Sequence, residues 1–172
     1  MSMEKMMRKV KESKWRAPST VQLVQLLNSG QDGALELKKL MKKHPKWKPD
    51  FRGADLREAY LIEVYLKSAD LSGAVLSGAD LRGADLSGAN LSGAVLRGTV
   101  LIGAVLAEAN LTDADLSRAN LTDADLQGAI FSKAKVCGVN WWCANIAHAK
   151  GMRRADAEIC MATFIASLEF VD

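Results

Sequence analysis

The amino-acid sequence predicts an all-β solenoid with an N-terminal helical cap, and three observations point that way. From Asp50 onward the chain repeats every five residues, as in Ala54-Asp55-Leu56-Arg57-Glu58, Ala69-Asp70-Leu71-Ser72-Gly73, Ala84-Asp85-Leu86-Ser87-Gly88 and Ala124-Asp125-Leu126-Gln127-Gly128. Of the twenty central positions from 51 to 146, fifteen hold Leu, and the rest are Phe51, Phe131, Val136, Trp141 and Ile146. Two residues before each centre, Ala fills sixteen of the twenty slots, with Pro49, Val64, Thr99 and Val139 as the exceptions.

A beat of five matches neither the helical period of 3.6 nor the strand period of 2. One five-residue unit cannot bury its own Leu. Stacked coils can, because each Leu then meets its equivalent above and below while the backbone bonds between coils. Gly after many of the Leu positions tolerates positive φ, and the Asp or Asn before them can bond to nearby backbone. Both suit a chain that turns sharply every few residues.

The ends depart from the beat. Residues 1–48 carry twelve Lys/Arg against four acids, residues 49–146 eight against twelve, and residues 147–172 three against four. A basic end and a mildly acidic body are therefore distinct objects. Residues 1–18, with Lys5, Arg8, Lys9, Lys11, Lys14 and Arg16 beside Trp15, read as a solvated, disordered leader in which Glu4 and Glu12 dilute the charge. Residues 19–48 read as a helical cap. Ser19-Thr20-Val21-Gln22 fits a capping box, Val21, Val24 and Leu27 share a helical face, and Asn28-Ser29-Gly30 ends that helix. Asp32 is expected to cap a second helix lined by Ala34, Leu37, Leu40 and Met41 and stopped by Pro45. Outward Tyr60, Ile62 and Tyr65 of the first coil are the surface on which this cap is expected to rest. The repeats occupy 49–148, with a distortion expected at Trp141, whose indole exceeds a Leu-sized slot. Residues 149–172 form the other cap. Ile159, Met161, Phe164, Ile165 and Leu168 suit either a short apolar helix over 155–169 or a last irregular coil, and a homodimer contact through this end is expected.

The A(D/N)LxG pattern, over roughly 100 of the 172 residues, resembles the pentapeptide-repeat family. The resemblance implies a right-handed quadrilateral β-helix with four pentapeptides per square coil, the Leu and Ala positions inward and the other three outward. Twenty repeats then give about five coils and a prism roughly 24 Å long. The Pro45–Phe51 run is similar to the segment that leads into the repeats in some members.

Nothing in the sequence converges on catalysis. His44 and His148 stand apart, and Ser and Asp recur at turn positions. Cys137, Cys143, His148 and Cys160 match no familiar zinc spacing, so no metal and no cofactor is expected. The glycines follow the five-residue beat rather than any phosphate-binding fingerprint. No apolar run is long enough to span a membrane. The N-terminus shows no secretory signal, and the odd cysteine count argues for a reducing, cytoplasmic setting.

Two surfaces remain as candidates. Val75, Val95, Val100 and Val105 replace the usual Asp or Asn at outward positions, with Ile102 beside them. Val95, Val100 and Val105 should wrap three consecutive sides and Val75 should stack on Val95. Such residues either simply suit extended backbone or form a partner-binding band. The second surface is an acidic belt of Glu108, Asp113, Asp115, Asp123 and Asp125. The leading expectation is a non-enzymatic scaffold that binds another protein, with no direct nucleic-acid binding. The alternative, which the resemblance implies, is a DNA-mimicking modulator of gyrase or topoisomerase, like the family members linked to quinolone resistance. A mimic needs carboxylates in rows along the rod, whereas these gather around its waist.

Overall fold

A computed structural model describes residues 17–153, 155, 156, 158 and 159 of the chain. From Asp50 to Lys150 the backbone forms an unbroken ladder of parallel bridges between residues twenty apart, beginning with Asp50↔Asp70 and ending with Ile130↔Lys150. Twenty residues make one coil, so four five-residue repeats make its four sides. In each rung the bridging residue donates down and accepts from the coil below: Val75 N bonds Ala54 O at 2.9 Å, and Leu56 N bonds Val75 O at 2.8 Å. Among the described residues, pairing is confined to single bridging positions rather than long strands. A corner every fifth residue leaves no length for one.

Each corner is a turn closed by the Ala N–H onto the Leu oxygen, such as Ala54 N to Phe51 O at 3.0 Å. The residue before that Ala has positive φ, as in Gly73 at 66° and Gly93 at 65°. Glycine suits this position for want of a Cβ. The Asp or Asn before each Leu bonds the turn from outside. Its Oδ1 accepts from the N–H two residues on, for example Ser72 N to Asp70 at 3.0 Å and Thr112 N to Asn110 at 3.1 Å.

The interior is one continuous cluster of Leu and Ala, nearly all of it sealed from water. Leu101 and Ala104 of the middle coil are 0 % exposed. Burial of this kind contributes about 1.5–3 kcal/mol per Leu. Thr99, the one hydroxyl in the Ala column, donates to Leu76 O at 2.8 Å and so carries no unsatisfied group inward.

Two helices precede the prism: α1 (Thr20–Leu27) and α2 (Gln31–Lys43). The capping box forms, with Gln22 N donating to Ser19 Oγ at 3.4 Å and Ser19 N donating to Gln22 Oε1 at 2.9 Å. The expected apolar face of α1 needs correcting, because Val21 is 66 % exposed and Leu23 and Leu27 are the buried pair. Their i, i+4 spacing gives a narrower stripe, which belongs to the same buried cluster as the prism interior. Asp32 does not cap α2. Gly30 is the N-cap residue and Asp32 lies in the first turn, because the α1–α2 connection is too short to hold another residue before the helix. Gly33 is essential to that close connection, since a Cβ there would lie 1.6 Å from the Leu26 oxygen. Leu37 and Met41 of α2 are buried as expected, and Leu40 is half-buried. The cap is tied to the first coil by Thr20 Oγ1 donating to Asp50 O at 3.0 Å and Gln31 Nε2 donating to the Tyr60 hydroxyl at 2.9 Å.

The distortion expected at Trp141 does not occur. Asn140 and Asn145 keep their bridges to Asn120 and Asp125, and Trp141 is 2 % exposed. Its ring meets Phe131 edge-on, with centroids 5.9 Å apart. Val136 and Ile146 fill the other two inward centres of this coil, so one wide ring is balanced by smaller neighbours. Residues 155, 156, 158 and 159 are helical, which agrees with the helical option for this end. The rest of that segment and the leader up to residue 16 lie outside the described residues, as does most of the 149–172 cap of which a dimer contact is expected.

Candidate interaction surface

The twenty-residue coil sorts every outward residue onto one of four sides. Side one carries Asp50, Asp70, Asn90, Asn110 and Ile130, and side two carries Asp55, Val75, Val95, Asp115 and Lys135. Tyr60, Asp80, Val100, Asn120 and Asn140 run up side three, and Tyr65, Asp85, Val105, Asp125 and Asn145 up side four. The residue after each Leu stands beside these columns, which puts Ile102 next to Val100 on side three.

Val75 and Val95 bridge each other directly on side two, and Val95, Val100 and Val105 occupy three successive sides of the same coil. All four valines and Ile102 are half-buried. Unlike Asp or Asn, a valine offers no oxygen to the N–H two residues on. The turns at Ser77, Arg97, Ile102 and Ala107 therefore lack the side-chain acceptor that secures Ser72, Thr112 and Ser117. The apolar band thus gives up a hydrogen bond at each turn, worth about 1 kcal/mol.

The acidic belt adjoins this band. Glu108, Asp113 and Asp123 are exposed corner residues, Asp125 is half-buried on side four, and Asp115 is buried on side two. With Arg118 they ring the prism instead of forming a row. Asp115 is not a free surface charge. Arg97 Nε donates to it at 2.7 Å from the preceding coil, and Lys135 Nζ stands 4.0 Å away in the following one. Burial disfavours its charged form, but hydrogen bonds from the Ser117 hydroxyl, the Arg97 guanidinium and the Ser117 N–H outweigh it and bring the carboxyl to about 2. Nearer the cap, Asp50, Asp55 and Asp80 each hold an arginine two residues on, at 2.6–2.8 Å. Hydrogen bonds from Arg52 lower Asp50 to about 2, and Arg57 and Arg82 lower Asp55 and Asp80 in the same way.

Two features escaped the sequence reading. The first is the Arg97–Asp115–Lys135 clasp across three coils, which the twenty-residue coil makes legible as a near-coil spacing on side two. The second is the set of corners without glycine. Glu58, Glu63, Ser68, Glu108, Asp113, Arg118, Asp123, Lys133, Cys143 and His148 all have φ between 52° and 61°. Their signal was a missing Gly in an otherwise regular column. Cys137, Cys143 and His148 fall on different sides and corners, Cys160 is outside the described residues, and no metal-binding cluster is found among the described residues. None of the described helices is long and apolar enough to cross a membrane.

Stacked four-sided coils with an Ala/Leu interior, preceded by two helices, define a solenoid repeat protein. Pentapeptide repeats match residues 50–88, 84–123 and 104–140 in eight copies, and so span more than half of the chain. The chain belongs to the pentapeptide repeat family. Among solved structures it is similar to alr5209, a pentapeptide repeat protein from Nostoc Pcc 7120 (35 % identity, 60 % of this chain and 93 % of that one, TM-score 0.53). It is also similar to HetL from Nostoc sp. strain PCC 7120, a pentapeptide repeat protein involved in heterocyst differentiation regulation (30 % identity, 60 % and 62 %, TM-score 0.35). A third is a pentapeptide repeat protein of the Arabidopsis thaliana thylakoid lumen (28 % identity, 67 % and 72 %, TM-score 0.40). No curated protein matches the chain.

Proposed function

We propose that this chain is a non-enzymatic, cytoplasmic scaffold that grips another protein through the valine band of its middle coil. The observation that carries this reading is the exchange made at Val75, Val95, Val100 and Val105. Each takes the place of a side chain that would have bonded the turn, and three of them fall in one coil. Packing against extended backbone favours β-branched residues by up to about 1 kcal/mol, which at best offsets the hydrogen bond given up. A partner that covers the band restores the balance by burying it.

The test is capture of partners by the full chain and by a Val95→Asp/Val100→Asp/Val105→Asp variant. Aspartate is the residue found at the neighbouring positions Asp80, Asp85 and Asp115, and circular dichroism checks that the variant is folded before capture. Loss of a partner from the variant supports the band. Retention of every partner by a folded variant refutes it. The gyrase-modulator alternative has weaker support, because Glu108, Asp113, Asp115, Asp123 and Asp125 gather around the waist, and Asp50, Asp55 and Asp80 nearer the cap are each paired with an arginine. It requires inhibition of purified gyrase, or its protection from quinolones, and no effect on supercoiling removes it.

A further inference from the structure

Helix α2, the lead-in segment and the first coil border an open groove of about 530 Å³. Its floor is apolar and aromatic: Met41 is buried, Trp47 half-buried and Tyr65 36 % exposed. Lys38, Lys42, Lys48 and Lys67 stand around it, all exposed, and no acidic residue lines it. Lysine ion pairs among the described residues are Lys39–Glu36 and Lys135–Asp115, neither in the groove. Lys42 lies in the last turn of α2, where the helix dipole accounts for it. Lys38 lies a turn earlier, Lys48 on the lead-in and Lys67 on the first coil, so the dipole does not account for them. Four like charges gathered from three elements repel one another and wait for a negative counterpart.

We propose that this groove docks an acidic segment of a partner protein, with an apolar or aromatic side chain seated on Met41, Trp47 and Tyr65 and carboxylates meeting the lysines. Charge complementarity and the apolar floor together fit such a segment. A longer polyanion is a poorer fit. Beyond Tyr65 the same side of the prism presents Asp85, then Glu108 and Asp125, which repel a strand of phosphates running down the rod. The groove also offers neither an arginine fork nor a helix N-terminus, since α2 turns its C-terminal half towards it. The inference adds a second surface to the scaffold reading and does not use the valine band, so the triple aspartate variant leaves it intact and separates the two.

The test is fluorescence anisotropy of the full chain with fluorescein-labelled Glu-Asp-Glu-Phe-Glu-Asp-Glu-Leu-Glu-Asp. Comparators are the same peptide with Ser for Phe and Leu, and an oligodeoxythymidine of equal charge. The groove variant is Lys38→Gln/Lys42→Gln/Lys48→Gln/Lys67→Gln, and its charge-matched control is Lys39→Gln/Lys43→Gln/Lys133→Gln/Lys150→Gln. We expect the groove variant to weaken peptide binding at least about tenfold and the control less than about twofold, the four rim charges adding their modest single effects. The Ser peptide should bind more weakly than its parent. Absence of binding, equal loss in the two variants, an equally tight Ser peptide, or tighter binding of the oligonucleotide overturns the proposal.

Discussion

Replacing four strained corners by glycine should make this protein more stable while removing charge from its surface. Glu108, Asp113, Arg118 and Asp123 are successive corners around the prism, with φ of 61°, 58°, 60° and 56°. In the preceding run, from Gly73 to Gly103, every corner is glycine. An L-residue in the left-handed region is disfavoured by about 1–2 kcal/mol. Glycine gives back about 0.5–1 kcal/mol of this through its freer unfolded chain. The net gain is about 0.5–1 kcal/mol per corner, least at Asp113 and Asp123 because Asp enters this region more readily. Side chains do not offset it: Glu108 and Arg118 merely lie over Gly128 and Gly138, with Cγ atoms 3.6 Å from where those Cβ atoms would be. The quadruple Gly variant should therefore gain about 2–3 kcal/mol if the corners act independently. In urea that raises the unfolding midpoint by about 1 M. A control, Ser87→Gly, lies beside a corner and should lose about 0.5–1 kcal/mol. A midpoint for the quadruple variant at or below wild type would refute the strain argument.

Further expectations concern the core, the cap and pH. Leu101→Ala, in the centre of the stack, should cost about 2–5 kcal/mol, and Ala94→Leu, in a slot without spare room, about 1–3 kcal/mol or more, both read from urea midpoints. Gly33→Ala should cost about 3 kcal/mol or more, because the Leu26 carbonyl in its way is backbone, and loss of helical circular dichroism before the prism melts would locate the damage in the cap. Asp115 has its folded pKa lowered to about 2, below its unfolded value near 3.9, so its contribution is complete above about pH 4 and lost as pH falls towards 2. After discounting for the exposed guanidinium of Arg97, that contribution is about 1–2 kcal/mol, and Asp115→Asn should flatten the acid limb of a midpoint-versus-pH curve by this amount.

The interior of this protein was legible because one five-residue rule governs it. Leu and Ala columns state which side chains face in, and the number of repeats states the number of coils. The surface follows a twenty-residue rule that a reading in fives hides, which is why Arg97, Asp115 and Lys135 did not stand out as one clasp. Trp141 misled because its size was judged against a lone Leu slot, whereas the coil shares its volume among Phe131, Val136, Trp141 and Ile146. Val21 misled because helical spacing alone does not say which of two adjacent stripes meets the prism. The groove lysines were invisible as a group, since positions 38, 42, 48 and 67 meet only when the helices fold back on the first coil.

These two rhythms let length and face change independently. Losing five residues from the middle of the prism would leave every inward Leu over another Leu, yet rotate everything beyond the cut by a quarter-turn. Val75 would then lie beneath Val100 rather than Val95, and each column above the deletion would be dealt to the neighbouring side. Losing twenty shortens the rod by one storey and keeps all four columns aligned. A lineage of such chains can shuffle its outer faces by small deletions without disturbing what holds the rod together.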